Sequence, residues 1–276
     1  MGPIAVLFGF TVRQLLVSRR ILLTLLILMA PGALLIVIRL VEPDEPEARE
    51  LWELYNVSAH IFLMSVLVPL ICIVHGTALI GAEAEARTIT YLITRRMRRA
   101  TVLLVKFIAT WLVLALLCDI AMICLHFCAV AGCDVPSIVS ESSYEGWSAT
   151  AALGWYLLLI PLTVLAFLAI FTLIGLLTAR PLAVSIFYLI AVELIVSNIP
   201  LRARTYSITH QLRATAASVM PRLPDLFELP RELRAELFPV GGTGLPELIV
   251  IVLVALALAA LLMTMRELIP TRVSRE

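Results

Sequence analysis

Lysine is almost missing from this chain: Lys106 is the only one, and arginine carries nearly all of the positive charge. Charge of either sign is scarce, at 15% of residues, and it avoids long stretches of the sequence altogether. A net charge of +1 excludes a bulk electrostatic case for nucleic-acid binding. Of the five cysteines, Cys72, Cys118, Cys124 and Cys128 fall inside apolar stretches and Cys133 just beyond one, so nothing reads as a disulfide framework. The Gly-x-x-x-x-Gly-Lys-Ser/Thr phosphate loop is absent: the lone Lys106 follows Val-Leu-Leu-Val, and the chain has no such site for ATP. The zinc-protease His-Glu-x-x-His and the hydrolase Gly-x-Ser-x-Gly are absent as well.

What fills the chain instead is apolar sequence. Hydrophobic residues make up 61% and the mean hydropathy is +1.02, far above what one soluble core would hide. Six stretches, 21–38, 57–82, 107–132, 149–179, 181–198 and 248–265, approach or exceed the ~20 residues that cross ~30 Å of hydrocarbon. Four of them contain no Asp, Glu, Lys or Arg. The expected fold is an all-α polytopic membrane protein with six transmembrane helices, forming a single domain over 1–276. The first stretch does not read as a cleaved signal peptide, being too long and lacking a small-residue cleavage site before the acidic loop.

Loop charges give an orientation. Arg13, Arg19 and Arg20 precede span one; Arg87, Arg95, Arg96, Arg98 and Arg99 follow span two; Arg180 lies in the turn after span four; Arg266, Arg272 and Arg275 close the chain. These segments alternate with an acidic first loop (Glu42, Asp44, Glu45, Glu47, Glu50, Glu53) and a third loop with no basic residue. The positive-inside rule places both termini in the cytoplasm of a cell whose inner membrane the chain crosses. The fifth loop, outside in this arrangement, carries Arg202, Arg204, Arg213, Arg222, Arg231 and Arg234, and long segments translocate with less regard to charge.

Three segments outside the spans have helical patterns. Over residues 3–18, Ile4, Leu7, Phe8, Val12, Leu15 and Leu16 recur at helical spacing. That predicts a helix lying in the cytoplasmic interface, or else a simple extension of span one. Over 83–99, Glu83 and Arg87 form an i, i+4 pair and Ile89, Leu92 and Ile93 a short apolar face, before a run of arginines. A helix held between two spans is a lever for a docked partner; the same arginines would also serve topology and anionic headgroups. In loop 199–247, Ile208, Leu212, Ala216 and Val219 share one face, and a second short helix is suggested over 230–238. This helical extracytoplasmic loop reads equally as a partner-docking cap and as a pair of interfacial helices.

Ionisable residues inside spans carry the remaining chemistry. Asp119 and His126 are seven apart on span three and Glu193 lies in span five. They form a candidate intramembrane polar path, against which stands simple inter-helix hydrogen bonding. Cys124, His126 and Cys128 do not converge as metal ligands, so no metal site is expected.

The stretch from Gly76 to Arg99 resembles the permease subunits of type 2 ABC transporters, closest to the NosY-like branch. There, span two ends in an acidic pair, followed by a Thr-Leu-type helix, an arginine-containing turn and a lysine entering span three. Glu83, Glu85, Thr88, Leu92, Arg95, Arg99 and Lys106 match that pattern; Arg87, Arg96 and Arg98 stand where the family usually has Gly, Pro and Ser. The resemblance implies that 83–99 is a coupling helix, with Glu83, Glu85, Arg87, Thr88, Leu92, Arg95 and Arg99 meeting a separate ABC ATPase. It also implies a second permease protomer, no cofactor on this chain, and ATP with Mg on the partner. The function expected is then that of a transport subunit, not itself an enzyme, of an exporter in the lipid membrane. Two other classes stand beside it: an intramembrane enzyme using Asp119, His126 and Glu193, and a scaffold that recruits an extracytoplasmic partner through loop five.

Overall fold

The computed structural model describes residues 3–41, 54–85, 99–130, 149–199, 202–219 and 244–265. Every regular element among them is helical, as the unbroken apolar stretches require: in lipid a backbone must satisfy its own hydrogen bonds. Six helical runs are long and apolar enough to cross a membrane: Arg19–Val41, Leu54–Leu79, Arg99–Ala129, Ala151–Leu177, Pro181–Asn198 and Leu245–Met265. The all-α polytopic architecture expected from hydropathy is the observed one.

Two boundaries differ from the hydropathy reading. Span three, expected from residue 107, is one continuous helix from Arg99 to Val130. Its first turns contain Arg99 and Lys106, which hydropathy treats as loop although their long side chains tolerate a helix end near the membrane surface. Span one is not one helix but two, Arg19–Leu28 and Ala30–Val41, meeting at Met29. Pro31 sits in the first turn of the second piece, where its missing N–H breaks no helical bond.

Spans two, three and four form the buried centre. Tyr55, Leu63, Phe107, Leu114, Tyr156, Phe167 and Phe171 are almost completely enclosed there. Spans two and four approach most closely through two glycines. A Cβ on Gly175 would lie 3.1 Å from the Cα and carbonyl oxygen of Thr77, and one on Gly76 would lie 3.0 Å from the Cβ of Phe171. Lipid tails offer no hydrophobic drive between helices, so such close backbone packing is what holds them together. Polar ties add to it: the Trp111 indole donates to the Pro161 carbonyl at 2.9 Å, joining span three to span four. Spans one, five and six bury a smaller share of their residues and turn apolar faces outward, including Leu22, Leu26, Phe187, Leu194, Val250 and Leu253.

The amphipathic pattern of residues 3–18 becomes the helix Pro3–Val17, which packs on span three with Leu7 and Thr11 inward. Ile4, Val6, Phe10, Leu16 and Val17 stay outside. At the opposite end of the bundle, span five changes pitch. Leu189–Ile195 is π-helical and Val196–Asn198 is a 3₁₀ turn. The chain then folds back so that the helix Ile208–Val219 starts beside Glu193, and this helix packs against spans four, five and six. Its predicted face residues Ile208, Leu212 and Ala216 are buried, and so are Thr209, Gln211, Ala214 and Thr215 around the rest of the helix. The helix suggested over 230–238 lies outside the described residues.

Candidate functional site

Polar groups gather at both ends of the bundle, and each set has its own construction. At the end opposite the N-terminal helix, Glu193 is the organising residue. The π-helical turn directs its buried carboxylate at the start of the helix Ile208–Val219. The backbone N–H groups of Ile208 and Thr209 donate to it at 3.1 and 2.8 Å. The hydroxyls of Ser207 and Tyr188 also donate, each at 2.9 Å. Ser207 is the N-cap of the returning helix: its Oγ accepts from the His210 N–H and its carbonyl from the Gln211 N–H. A carboxylate on the first free N–H groups of a helix meets both the orphan donors and the positive end of the dipole. The charge is therefore fully engaged in joining span five to the returning helix.

Neighbouring groups close the same clasp. Arg213 donates to the Asn198 side chain at 2.8 Å, and burial lowers its pKa while the nearby Glu193 charge opposes that shift. His210 is buried, and desolvation together with Arg204 and Arg213 lowers its pKa, favouring the neutral ring. A Cβ on Gly244 would collide with the Gln211 carbonyl oxygen, so only glycine lets the start of span six pass this close to the helix. Beside the clasp, His126 Nδ1 lies 3.2 Å from the Tyr55 hydroxyl, and Tyr156 donates to Asn56 at 3.0 Å. Asp119, lower in span three, has one buried carboxylate oxygen with no hydrogen-bond partner among the described residues. Among the described contacts no hydrogen bond joins Asp119, His126 and Glu193 to one another.

At the other end, the N-terminal helix, the start of span one and the facing ends of spans two and three enclose a cavity of about 270 Å³. Thr11, Gln14, Arg20, His75, Lys106 and Thr110 are in its polar lining, with Ser18 between the N-terminal helix and span one. Thr24 fixes the His75 ring by a 3.0 Å contact to Nε2. Just beyond this cavity the helix of span two ends at Glu85, so Glu83 and Glu85 occupy its last turn, and the helix of span three begins at Arg99. Arg87, Thr88, Leu92 and Arg95 lie outside the described residues.

Sequence reasoning singled out Glu193 but not its partners. Ser207 was findable, since a serine directly before an apolar-periodic run is an N-cap signal. Tyr188 carried no such signal, and neither did Thr11, Gln14 or Thr110. Among the described residues no cluster of His, Cys, Asp and Glu is arranged to hold a metal ion.

The Glu193 clasp is structural in form, and the cavity lies where the helices of spans two and three end and begin; among the described residues neither assembles a nucleophile, base and oxyanion site. A comparison with curated proteins finds none that matches. The family model described as ABC-2 family transporter protein matches residues 17–192, which is well over half of the chain and takes in the first four spans and most of the fifth. Family membership implies a permease subunit of an ABC transporter, with an ATPase as its partner, in a multi-pass membrane setting. This chain belongs to the ABC-2 transporter family.

Proposed function

We propose that the chain is the permease of an ATP-driven exporter of the NosY-like branch, working as a dimer with two copies of a separate cytoplasmic ATPase. The family match over residues 17–192 carries the reading. Two further features support it. The helices of spans two and three end and begin at Glu85 and Arg99, bracketing the segment through which an ATPase would act. A stiff helix on each side would pass movement of a docked partner to the buried centre. Spans one and five expose apolar faces that a second protomer or lipid would cover. The arginine distribution supports an inner-membrane location with both termini cytoplasmic. ATP and Mg would reside on the partner, and loop 199–247 would offer an extracytoplasmic surface.

Co-purification in mild detergent from the native host tests this. A stoichiometric protein with a phosphate-loop ATPase sequence is expected, and Glu83→Ala/Glu85→Ala should release it while leaving membrane insertion intact. A homogeneous preparation with no ATPase, or a partner indifferent to both substitutions, would overturn the docking assignment.

A further inference from the structure

The cavity under the N-terminal helix is built differently from every other polar place in the described bundle. It brings together polar groups from four helices: donors on Thr11 and Gln14 of the N-terminal helix, Arg20 of span one, and Lys106 and Thr110 of span three, beside the His75 ring of span two, whose Nε2 is held by Thr24. None of the described lining residues is acidic. Of its lining, Lys106 is buried whereas Gln14 and Arg20 are exposed, so the cavity joins a buried amine to an accessible rim.

Its size and level suit one kind of ligand. At ~30 Å³ per liquid water, about 270 Å³ has room for roughly nine waters, enough for a phosphate group and part of a glycerol. Lys106 lies two turns into a helix that begins at Arg99, which sets this residue roughly 10 Å from that helix end. The N-terminal helix beside it exposes Ile4, Val6, Phe10, Leu16 and Val17, an apolar surface fit to lie among acyl chains. Basic pockets between transmembrane helices at the membrane surface are where anionic lipid headgroups bind. A phosphate would accept from the guanidinium of Arg20, the ammonium of Lys106 and the hydroxyl and amide donors around them.

We propose that this cavity binds the phosphate-bearing headgroup of an anionic phospholipid. The site needs only a lipid leaflet at that end of the bundle; the orientation proposed above makes it the inner one. Occupied, it ties the N-terminal helix to spans two and three immediately before their helices leave the membrane.

Native mass spectrometry of the full chain in neutral detergent tests this without any ATPase, so its outcome is independent of the transporter reading. Phosphatidylglycerol, phosphatidylcholine and inorganic phosphate are titrated separately. Phosphatidylglycerol should bind at least fivefold more tightly than phosphatidylcholine. Arg20→Gln and Lys106→Met should each weaken it about fivefold, and Lys106→Arg should restore most of the loss. Arg20 is exposed, so its variant remains informative if Lys106→Met fails to fold. Equal binding of the two lipids, or phosphatidylglycerol binding unchanged by Arg20→Gln, would overturn the site. Displacement of phosphatidylglycerol by inorganic phosphate at equal concentration would make the ligand a free phosphate and overturn the lipid assignment.

Discussion

The two ends of this bundle solve the problem of polar groups in lipid in opposite ways. At one end Glu193 faces two backbone N–H groups and two hydroxyls, and its charge is consumed in fixing one helix to another. At the other, Arg20, His75 and Lys106 surround a space. Both ends contain charge where charge is costly, yet only one is closed. A buried ionisable residue in a membrane protein therefore takes its role from what it faces. Glu193 and Lys106 look alike in sequence, each next to apolar residues, yet Glu193 meets the first N–H groups of a helix whereas Lys106 borders a cavity.

The largest effect that would break this contrast lies at the clasp. Glu193→Ala leaves the Ile208 and Thr209 N–H groups and the Ser207 and Tyr188 hydroxyls without their acceptor. Charged hydrogen bonds are worth about 1.5–3 kcal/mol each, and losses within one cluster are not additive. We expect the helix Ile208–Val219 to lose about 3 kcal/mol of local stability, read as a more than hundredfold rise in amide exchange over its first two turns. Exchange unchanged from the parent would show that side-chain packing of Ile208, Leu212 and Ala216 alone holds the helix.

A smaller effect follows from pH. His210 lies in the same helix, and its folded pKa is lowered by desolvation and by Arg204 and Arg213. A released helix would return it toward the ordinary value near 6.5, so the undocked form binds the proton more readily. The clasp should thus be fully stable above about pH 6.5 and weaken as pH falls through that value. Exchange of the same amides, corrected for its intrinsic rate, should accelerate between about pH 7.5 and 5.5. His210→Gln should remove the dependence; persistence of the effect in that variant would assign it elsewhere.

The smallest effect sharpens the comparison from the open side. Arg20→Gln alters an exposed side chain and should change thermal stability in lipid-free detergent by less than about 0.5 kcal/mol. A loss approaching that of Glu193→Ala would mean that the cavity rim, like the clasp, serves the fold.

Much of the architecture is legible in the sequence. Hydropathy located all six spans because lipid imposes a length and a composition on every crossing helix. It misplaced the start of span three by eight residues, since Arg99 and Lys106 look like loop to an average over neighbours. Periodicity put Ile208, Leu212 and Ala216 on one apolar face, a local property, but gave no sign that Thr209, Gln211 and Thr215 are buried too, which depends on the helices packed around them. The contact between Glu193 and Thr209 was beyond reach, because the chain must first reverse after Asn198 to bring them together. The 83–99 match identified the type of permease, and Arg87 through Arg95 lie outside the described residues.

The sequence by itself determined that the chain crosses the membrane six times, that it has no phosphate loop of its own, and which short segments are amphipathic. These follow from hydrophobic length and helical period, properties that each segment carries alone. Only the tertiary structure decided that Glu193 is a helix clasp, that Gly76 and Gly175 let spans two and four touch, and that Arg20, His75 and Lys106 share one cavity. Each depends on residues far apart in the chain meeting in space, and a residue's charge acquires a role only when the groups that face it are known.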